Sequence, residues 1–491
     1  MPLAVAANPM EECGMDGSRL AKIADWQQAL VDGGHLPMAI SVVSRHGKVA
    51  YVQATGYSDA ENKVPIKEDD IFRLYSMTKP PVAVALLMLY EEGRFQLDDP
   101  VHYFLGPKWK KENCRVFDEW TDIKACEYTT VECDRDITMR HVLTHTAGLG
   151  HGFDRTGVGI QTDRVYAKEW VRPSPKTVAP EDQSMLAAFI DGLGDMPLLY
   201  QPGTQWNYSH APDVQGRLIE VLSGQQLDVF LEERMFKPLG MKDTGFDVPP
   251  EKVDRFTHCY SFVPPGGGAG GGIQLRESEA DVSEVVSGDA SITFPHVGGF
   301  RDNGPEANAN YLYCGRPKMI SGTGGMVGTA ADYAAFCNML LAGGVAPSGE
   351  RLLGVKTIEF ATSNQLPDSK GLLDMIIDPK VQYSETAGAT PPRPSDPSRC
   401  AAFLSHRRRC AAANGGGFGL GFSVVKSPVE AGLHGSAGNF AWGGAASTIF
   451  WCDPVEDISV VFFTQVMGMQ PRNMLRVRAN PSRPPACLSA R

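Results

Sequence analysis

Ser76 and Lys79 stand three residues apart in Ser76-Met77-Thr78-Lys79, followed by Pro80, Pro81 and an apolar run to Tyr90. Side chains at i and i+3 share one helix face, so the pair can act as a nucleophilic hydroxyl and the amine that takes its proton. Burial and neighbouring charge lower a lysine pKa until the amine becomes a base. Prolines are tolerated only in a helix's opening turn, which places Ser76 at the helix N-terminus. Unpaired backbone N–H groups there favour developing negative charge.

Two further stretches could complete such a site. Tyr208 follows a Pro202-Gly203 turn in an aromatic, polar loop, Thr204-Gln205-Trp206-Asn207-Tyr208-Ser209-His210. A phenol near a lysine ammonium can carry a proton to or from a leaving group; a tyrosine that only packs the loop is the competing reading. His210 is either an incidental loop histidine or a substrate-binding residue. Near the C-terminus, Trp442-Gly443-Gly444-Ala445-Ala446 enters a strand. Small residues such as Gly443 and Gly444 let a backbone approach a substrate closely. The N–H groups of Ala445 and Ser76 would then form an oxyanion hole, the alternative being a β-bulge without chemistry.

The elements that must position these residues can be read from periodicity. Residues 17–33 carry helical apolar spacing, and 39–43 with 49–54 read as a hairpin around Arg45-His46-Gly47-Lys48. After the Ser76 helix, a mostly helical stretch runs to about Gly240, with periodic segments at 139–144, 183–193, 213–223 and 227–236. Another helix begins near Thr329 and closes at 340–344. Runs at 418–425, 447–451 and 458–464 look like strands. Strands first, helices in the middle and strands last predict an α+β fold. A sheet would be completed by both chain ends and interrupted by a helical domain, with the site between them. The expected layout is a sheet part at about 17–75 and 300–466 and a helical part at about 76–299. The Pro- and Gly-rich run at 264–272 reads as a loop, 379–417 as an exposed low-complexity insertion, and 467–491 as a flexible tail.

Composition narrows the function classes. The chain has 491 residues, 43% hydrophobic and 21% charged, with a net charge of -11. That charge argues against nucleic acid as a partner, because phosphate binding needs a basic surface. No apolar stretch reaches membrane-span length. The start, Met1-Pro2-Leu3-Ala4, lacks a basic n-region, so the expected location is cytoplasmic. Eleven cysteines lie without metal-ligand spacing and read as free thiols, with no metal or cofactor implied.

Taken together, Ser76-Met77-Thr78-Lys79, Leu143-Thr144-His145-Thr146-Ala147-Gly148-Leu149, Pro202-Gly203-Thr204 with Tyr208-Ser209, and Ser321-Gly322-Thr323-Gly324-Gly325-Met326 resemble the class C β-lactamase-like serine hydrolases. Within them the chain looks closest to family VIII carboxylesterases and fungal polyketide acyltransferases. The resemblance covers about 17–466, the expected catalytic unit, and implies a β-lactamase/transpeptidase-like fold, an antiparallel sheet flanked by helices with an inserted helical domain. Two departures bear on substrate. The Tyr-x-Asn of β-lactamases has His210 at its third position here, and Trp442-Gly443-Gly444 replaces Lys-Thr-Gly. An indole in place of a cation removes the attraction for a substrate carboxylate and favours neutral, apolar acyl esters, with Trp442 lining their pocket.

The resemblance and the chemistry lead to one expected function, a serine esterase for small apolar esters working through a Ser76 acyl-enzyme. Either Lys79 or Tyr208 would be the base. Two alternatives stay open: an acyltransferase of secondary metabolism moving the acyl group to an alcohol, and a non-catalytic or filament-forming protein on the same fold. The partner would be a small ester or acyl compound; oligomeric state is left open.

Overall fold

The computed structural model describes residues 5–122, 125–152, 165–166, 184–262, 300–302, 317, 319–376 and 415–467. The 264–272 loop, most of the 379–417 insertion and the tail beyond 467 lie outside them. Six helices carry the argument: α1 (Gly17–Asp32), α2 (Lys79–Glu91), α3 (Met139–Leu143), α4 (Met185–Leu193), α5 (Ala211–Ser223) and α6 (Ala330–Leu341). Their N-caps are largely side-chain oxygens: Asp16, Thr138, Ser184 and Thr329 each accept from a first-turn N–H.

One antiparallel sheet organises the rest. Strands β1 (Met38–Arg45), β2 (Lys48–Asp59) and β3 (Val64–Pro65) come from the N-terminal side. Strands β4 (Gly416–Phe418), β5 (Ser423–Val425), β6 (Phe440–Gly443), β7 (Ile449–Asp453) and β8 (Ile458–Phe463) come from the C-terminal side. The order is β4-β5-β6-β7-β8-β1-β2-β3, so the two chain ends meet where β8 pairs with β1, Val43 opposite Val460. His46 and Gly47, both at positive φ, close the β1–β2 hairpin as a tight two-residue turn requires.

Strand β8 is buried along its whole length because both faces of the sheet are covered. Alternation sends Phe462 to one face, where its ring meets Trp26 of α1 at 5.7 Å. It sends Ser459 to the other, where its hydroxyl donates to the Asn338 side chain of α6 at 2.8 Å. The α2 helix is buried from Lys79 to Leu89 and packs against α5. A helix apolar on every side belongs in the centre of a molecule. There, truncating a side chain such as Leu86 to Ala costs about 2–5 kcal/mol.

The structure departs from the sequence reading in three places. The 418–425 run is two strands, β4 and β5, broken at Gly421, whose φ of 90° turns the chain within 2.3 Å of Ala83 for any added Cβ. Strand β6 was not expected as a strand; four residues ending in glycine leave too little alternation to show. The stretch expected to be mostly helical also holds a β-hairpin, Arg115–Asp122 with Glu127–Glu132, held by the rings of Phe117, Trp120 and Tyr128.

Candidate active site

The chain enters α2 through a single 3-10 turn, Tyr75–Thr78, which carries Ser76. Tyr75 sits at φ 46°, a left-handed conformation uncommon for a bulky side chain, and its backbone is packed against Gly324. Pro80 and Pro81 fall in the first turn of α2, as their missing N–H groups require. The 3-10 turn and the helix put Lys79 directly behind Ser76. The Lys79 Nζ donates to Ser76 Oγ at 3.0 Å and to the Thr323 carbonyl at 2.6 Å. Burial pushes the Lys79 pKa down to about 7, against an opposing pull from Asp213. Near neutral pH a large fraction of this lysine is therefore the free amine.

Tyr208 completes the hydroxyl network. Its Oη lies 2.6 Å from Ser76 Oγ, and Lys79 Nζ stands 4.5 Å from its ring centroid. The loop carrying Tyr208 is laid against the segment that follows α3. Leu199 N donates to Gly148 O, Gly203 N to Thr146 O, Asn207 N to His145 O and His210 N to Gly150 O. Gly148 is required here: at φ 80° an added Cβ would lie 2.3 Å from the Tyr200 carbonyl oxygen. The rings of His145 and His151 stack on Tyr208 with centroids 5.4 and 5.3 Å away. Burial, with a smaller push from the Lys79 charge, lowers the His145 pKa to about 3, so this ring is a neutral spacer.

Asp213, in the first turn of α5, is buried behind this group. It accepts from Ser321 Oγ (2.7 Å), Thr323 N (3.0 Å), Thr323 Oγ1 (2.6 Å) and, paired with it, His210 Nδ1 (2.8 Å). Burial raises its pKa, but the hydrogen bonds and charge from His210 and the two hydroxyls outweigh that and hold it below the usual carboxylate range.

The end of β6 closes the site from the sheet side. A turn from Gly444 to Ser447 links β6 to β7, with Ser447 N donating to Gly444 O at 3.0 Å. This turn lies against the nucleophile segment. Ala446 is buried against Tyr75, and Thr448 Oγ1 donates to Leu74 O at 3.5 Å. A Cβ on Gly444 would lie 2.4 Å from that same carbonyl oxygen, so glycine is what permits the approach. The Trp442 ring stacks 6.0 Å from Tyr208 and meets Phe418 edge-on at 5.4 Å. Trp206, Phe418, Met375, Leu366 and Leu372 form an apolar cluster beside it.

Ser76, Lys79, Tyr208 and Trp442 thus meet from three distant stretches, and Gly444, between Gly443 and Ala445, lies against the segment that leads into Ser76. His210 behaves differently from its expected place among substrate-binding residues. It is 6% exposed, with its second ring nitrogen 3.2 Å from His151 O and its ring stacked on His151 at 4.3 Å. Its side chain braces the Tyr208 loop. The Ser-x-x-Lys spacing also recurs at Ser423 and Lys426, without consequence. These lie on and just after β5, where i and i+3 point to opposite faces, and they bond separately to Ala441 O and Ser369 O. Sequence reasoning assigned no role to Asp213, Thr323, His145 or His151. The only available signal was the presence of Thr323 and His145 within two of the matched motifs.

Comparison with known proteins gives the family and the fold. The Beta-lactamase family model matches residues 23–480. An uncharacterized protein of Mycobacterium tuberculosis is 28% identical over 437 residues, 88% of this chain and 87% of its own. Esterase EstB of Burkholderia gladioli is 34% identical over 241 residues, covering 48% of this chain and 55% of EstB. Among solved structures, EstCE1, described as a hydrolase with promiscuous acyltransferase activity, superposes with a TM-score of 0.64 at 24% identity. That match covers 94% of this chain and 98% of EstCE1, and shows the shared β-lactamase/transpeptidase-like fold.

Proposed function

Because the chain belongs to the Beta-lactamase family, as a serine hydrolase/acyltransferase enzyme, we propose that it cleaves small apolar carboxylic esters through an acyl-enzyme on Ser76. The observation that carries this reading is the Ser76 hydroxyl held at once by Tyr208 Oη at 2.6 Å and by a lysine with a pKa of about 7 at 3.0 Å. Ser76 Oγ attacks the ester carbonyl carbon while its proton passes into the Tyr208–Lys79 pair. The N–H groups of Ser76 and Ala445 receive the oxyanion, each such donor contributing about 3–4 kcal/mol to the transition state. Tyr208, supported by the Lys79 ammonium, returns the proton to the departing alcohol. Water then releases the acyl group by the same route in reverse.

The wall of Trp442, Phe418 and Trp206 supports an apolar acyl or alcohol group in place of a carboxylate. No helix among the described residues is long and apolar enough to cross a membrane, and a small-molecule ester is the partner that fits. The same aromatic wall supports a second reading, acyl transfer to an alcohol, because excluding water from the acyl-enzyme favours an organic acceptor.

Hydrolysis of p-nitrophenyl esters from acetate to octanoate, wild type beside Ser76→Ala, tests the first reading. Activity confined to the wild type is expected, with the best chain length measuring the pocket. Activity retained in Ser76→Ala overturns the nucleophile assignment. Adding a primary alcohol separates the two readings: ester product outrunning free acid marks a transferase.

A further inference from the structure

We propose that Asp213 is a positioning residue for the Ser76–Lys79 pair, acting through Thr323; the inference rests on the acyl-enzyme reading above. Thr323 has three polar groups, and all are engaged along one line. Its N–H and its hydroxyl donate to the Asp213 carboxylate at 3.0 and 2.6 Å, and its carbonyl accepts from Lys79 Nζ at 2.6 Å. With the N–H and the side chain gripped by one buried carboxylate, this residue cannot turn without breaking both bonds. The direction of its carbonyl is set accordingly. That carbonyl takes one hydrogen of the Lys79 nitrogen, which orients the remainder of the tetrahedral nitrogen toward Ser76 Oγ.

The carboxylate is itself held from three sides. Ser321 donates to it at 2.7 Å, His210 Nδ1 lies at 2.8 Å, and it occupies the first turn of α5, where a negative charge is favoured. The loop carrying Thr323 is pressed onto that helix start at Gly322, where a Cβ would lie 2.2 Å from Pro212 O. Loop and helix therefore move as one body, and Lys79 is referenced to α5 through it. The Asp213 charge also acts on Lys79 directly, opposing the effect of burial on the ammonium. The titratable groups facing Lys79 are Asp213 from α5, Tyr208 from its loop and His145 from the segment after α3; Asp213 is faced in turn by His210.

The test is the pH dependence of kcat and KM for an apolar p-nitrophenyl ester, measured on the full chain as wild type, Asp213→Asn and Thr323→Val, with thermal melting as the check on folding. Asp213→Asn keeps the shape and removes the charge. Its kcat is expected to fall about tenfold to a hundredfold with KM little changed, as displacement of a catalytic group produces. Its acidic limb is expected to move about one pH unit lower, because an ammonium without its counter-charge loses its proton more readily. Thr323→Val removes only the hydroxyl link and is expected to lower kcat severalfold with the limb in place. A wild-type limb near pH 7 that stays unmoved in Asp213→Asn, with kcat unchanged, overturns the proposal and leaves the Ser76 reading standing. A wild type with no limb near 7 overturns the underlying role of Lys79 instead. Should Asp213→Asn fail to fold, an unchanged kcat in Thr323→Val overturns the proposal.

Discussion

Ser76 and Tyr208 share a 2.6 Å hydrogen bond across 132 residues of chain. Neither hydroxyl owes its place to the other's local structure: one is set by a 3-10 turn leading into α2, the other by a loop laid against the segment after α3. Removing the phenol while keeping the ring separates chemistry from packing. Tyr208→Phe retains the stacking on His145 and His151 and is expected to lower kcat about a hundredfold to ten-thousandfold, with KM and melting temperature nearly unchanged. Steady-state kinetics on one p-nitrophenyl ester checks this; a small effect would remove Tyr208 from the proton path.

Activity should rise with pH through about 7, where Lys79 loses its proton and becomes able to accept that of Ser76. The same shift has a consequence for stability, with a definite sign. Lys79 titrates at about 7 in the fold against 10.5 in its ordinary state, so between these values the unfolded chain binds more protons. Stability therefore increases with pH across that window, and the cost of the buried ammonium is fully present below 7. Replacing it by an apolar side chain of similar length, Lys79→Met, is expected to abolish ester hydrolysis and raise the melting temperature at pH 6. A lower melting temperature at pH 6 would mean the Thr323 and Ser76 bonds outweigh the burial of charge.

Gly444→Ala should disable the site while leaving the Ser76, Lys79 and Tyr208 side chains unaltered. The new methyl would meet Leu74 O at 2.4 Å and Thr448 Oγ1 at 2.3 Å, and the β6–β7 turn would have to retreat from the nucleophile segment. Overpacking of this kind costs about 1–3 kcal/mol. The displaced Ala445 N–H should lower kcat more than it changes KM. Wild-type kinetics in this variant would exclude the turn as an oxyanion donor.

With an indole and no cation at Trp442, the proposed site is expected to prefer neutral substrates. Nitrocefin, whose carboxylate would face an indole, is expected to turn over far more slowly than an apolar ester. Trp442→Lys should narrow that gap by supplying a cation, at some loss of ester activity as the contacts with Tyr208 and Phe418 go. Rapid nitrocefin hydrolysis by the wild type would contradict the role given to Trp442.

Much of the frame was legible before the structure. The Ser76–Lys79 spacing, the prolines that bound their helix and the β1–β2 hairpin follow from local periodicity and turn chemistry, which neighbouring residues settle among themselves, and the sheet closed by both chain ends follows from the order of strands and helices along the chain. Strand β6 and the Arg115–Asp122 hairpin escaped because short strands draw their stability from partners distant in sequence. His210 was placed with the substrate because a loop histidine carries no mark of burial. The histidine stack behind Tyr208 was hidden for the same reason.

Asp213 shows most clearly where the division falls. In sequence it is an acidic residue in the first turn of a helix, a position that helix electrostatics alone would explain. Only the packing of the Ser321–Thr323 loop onto that helix turns it into the anchor of Lys79, across 108 and 110 residues of chain. The sequence by itself determined which residues could do chemistry, because residue type and near-neighbour spacing are local properties. Tertiary structure decided which of them meet, which are buried enough to change their pKa, and which carbonyl holds the lysine, because desolvation and hydrogen-bond geometry exist only once distant segments exclude water together.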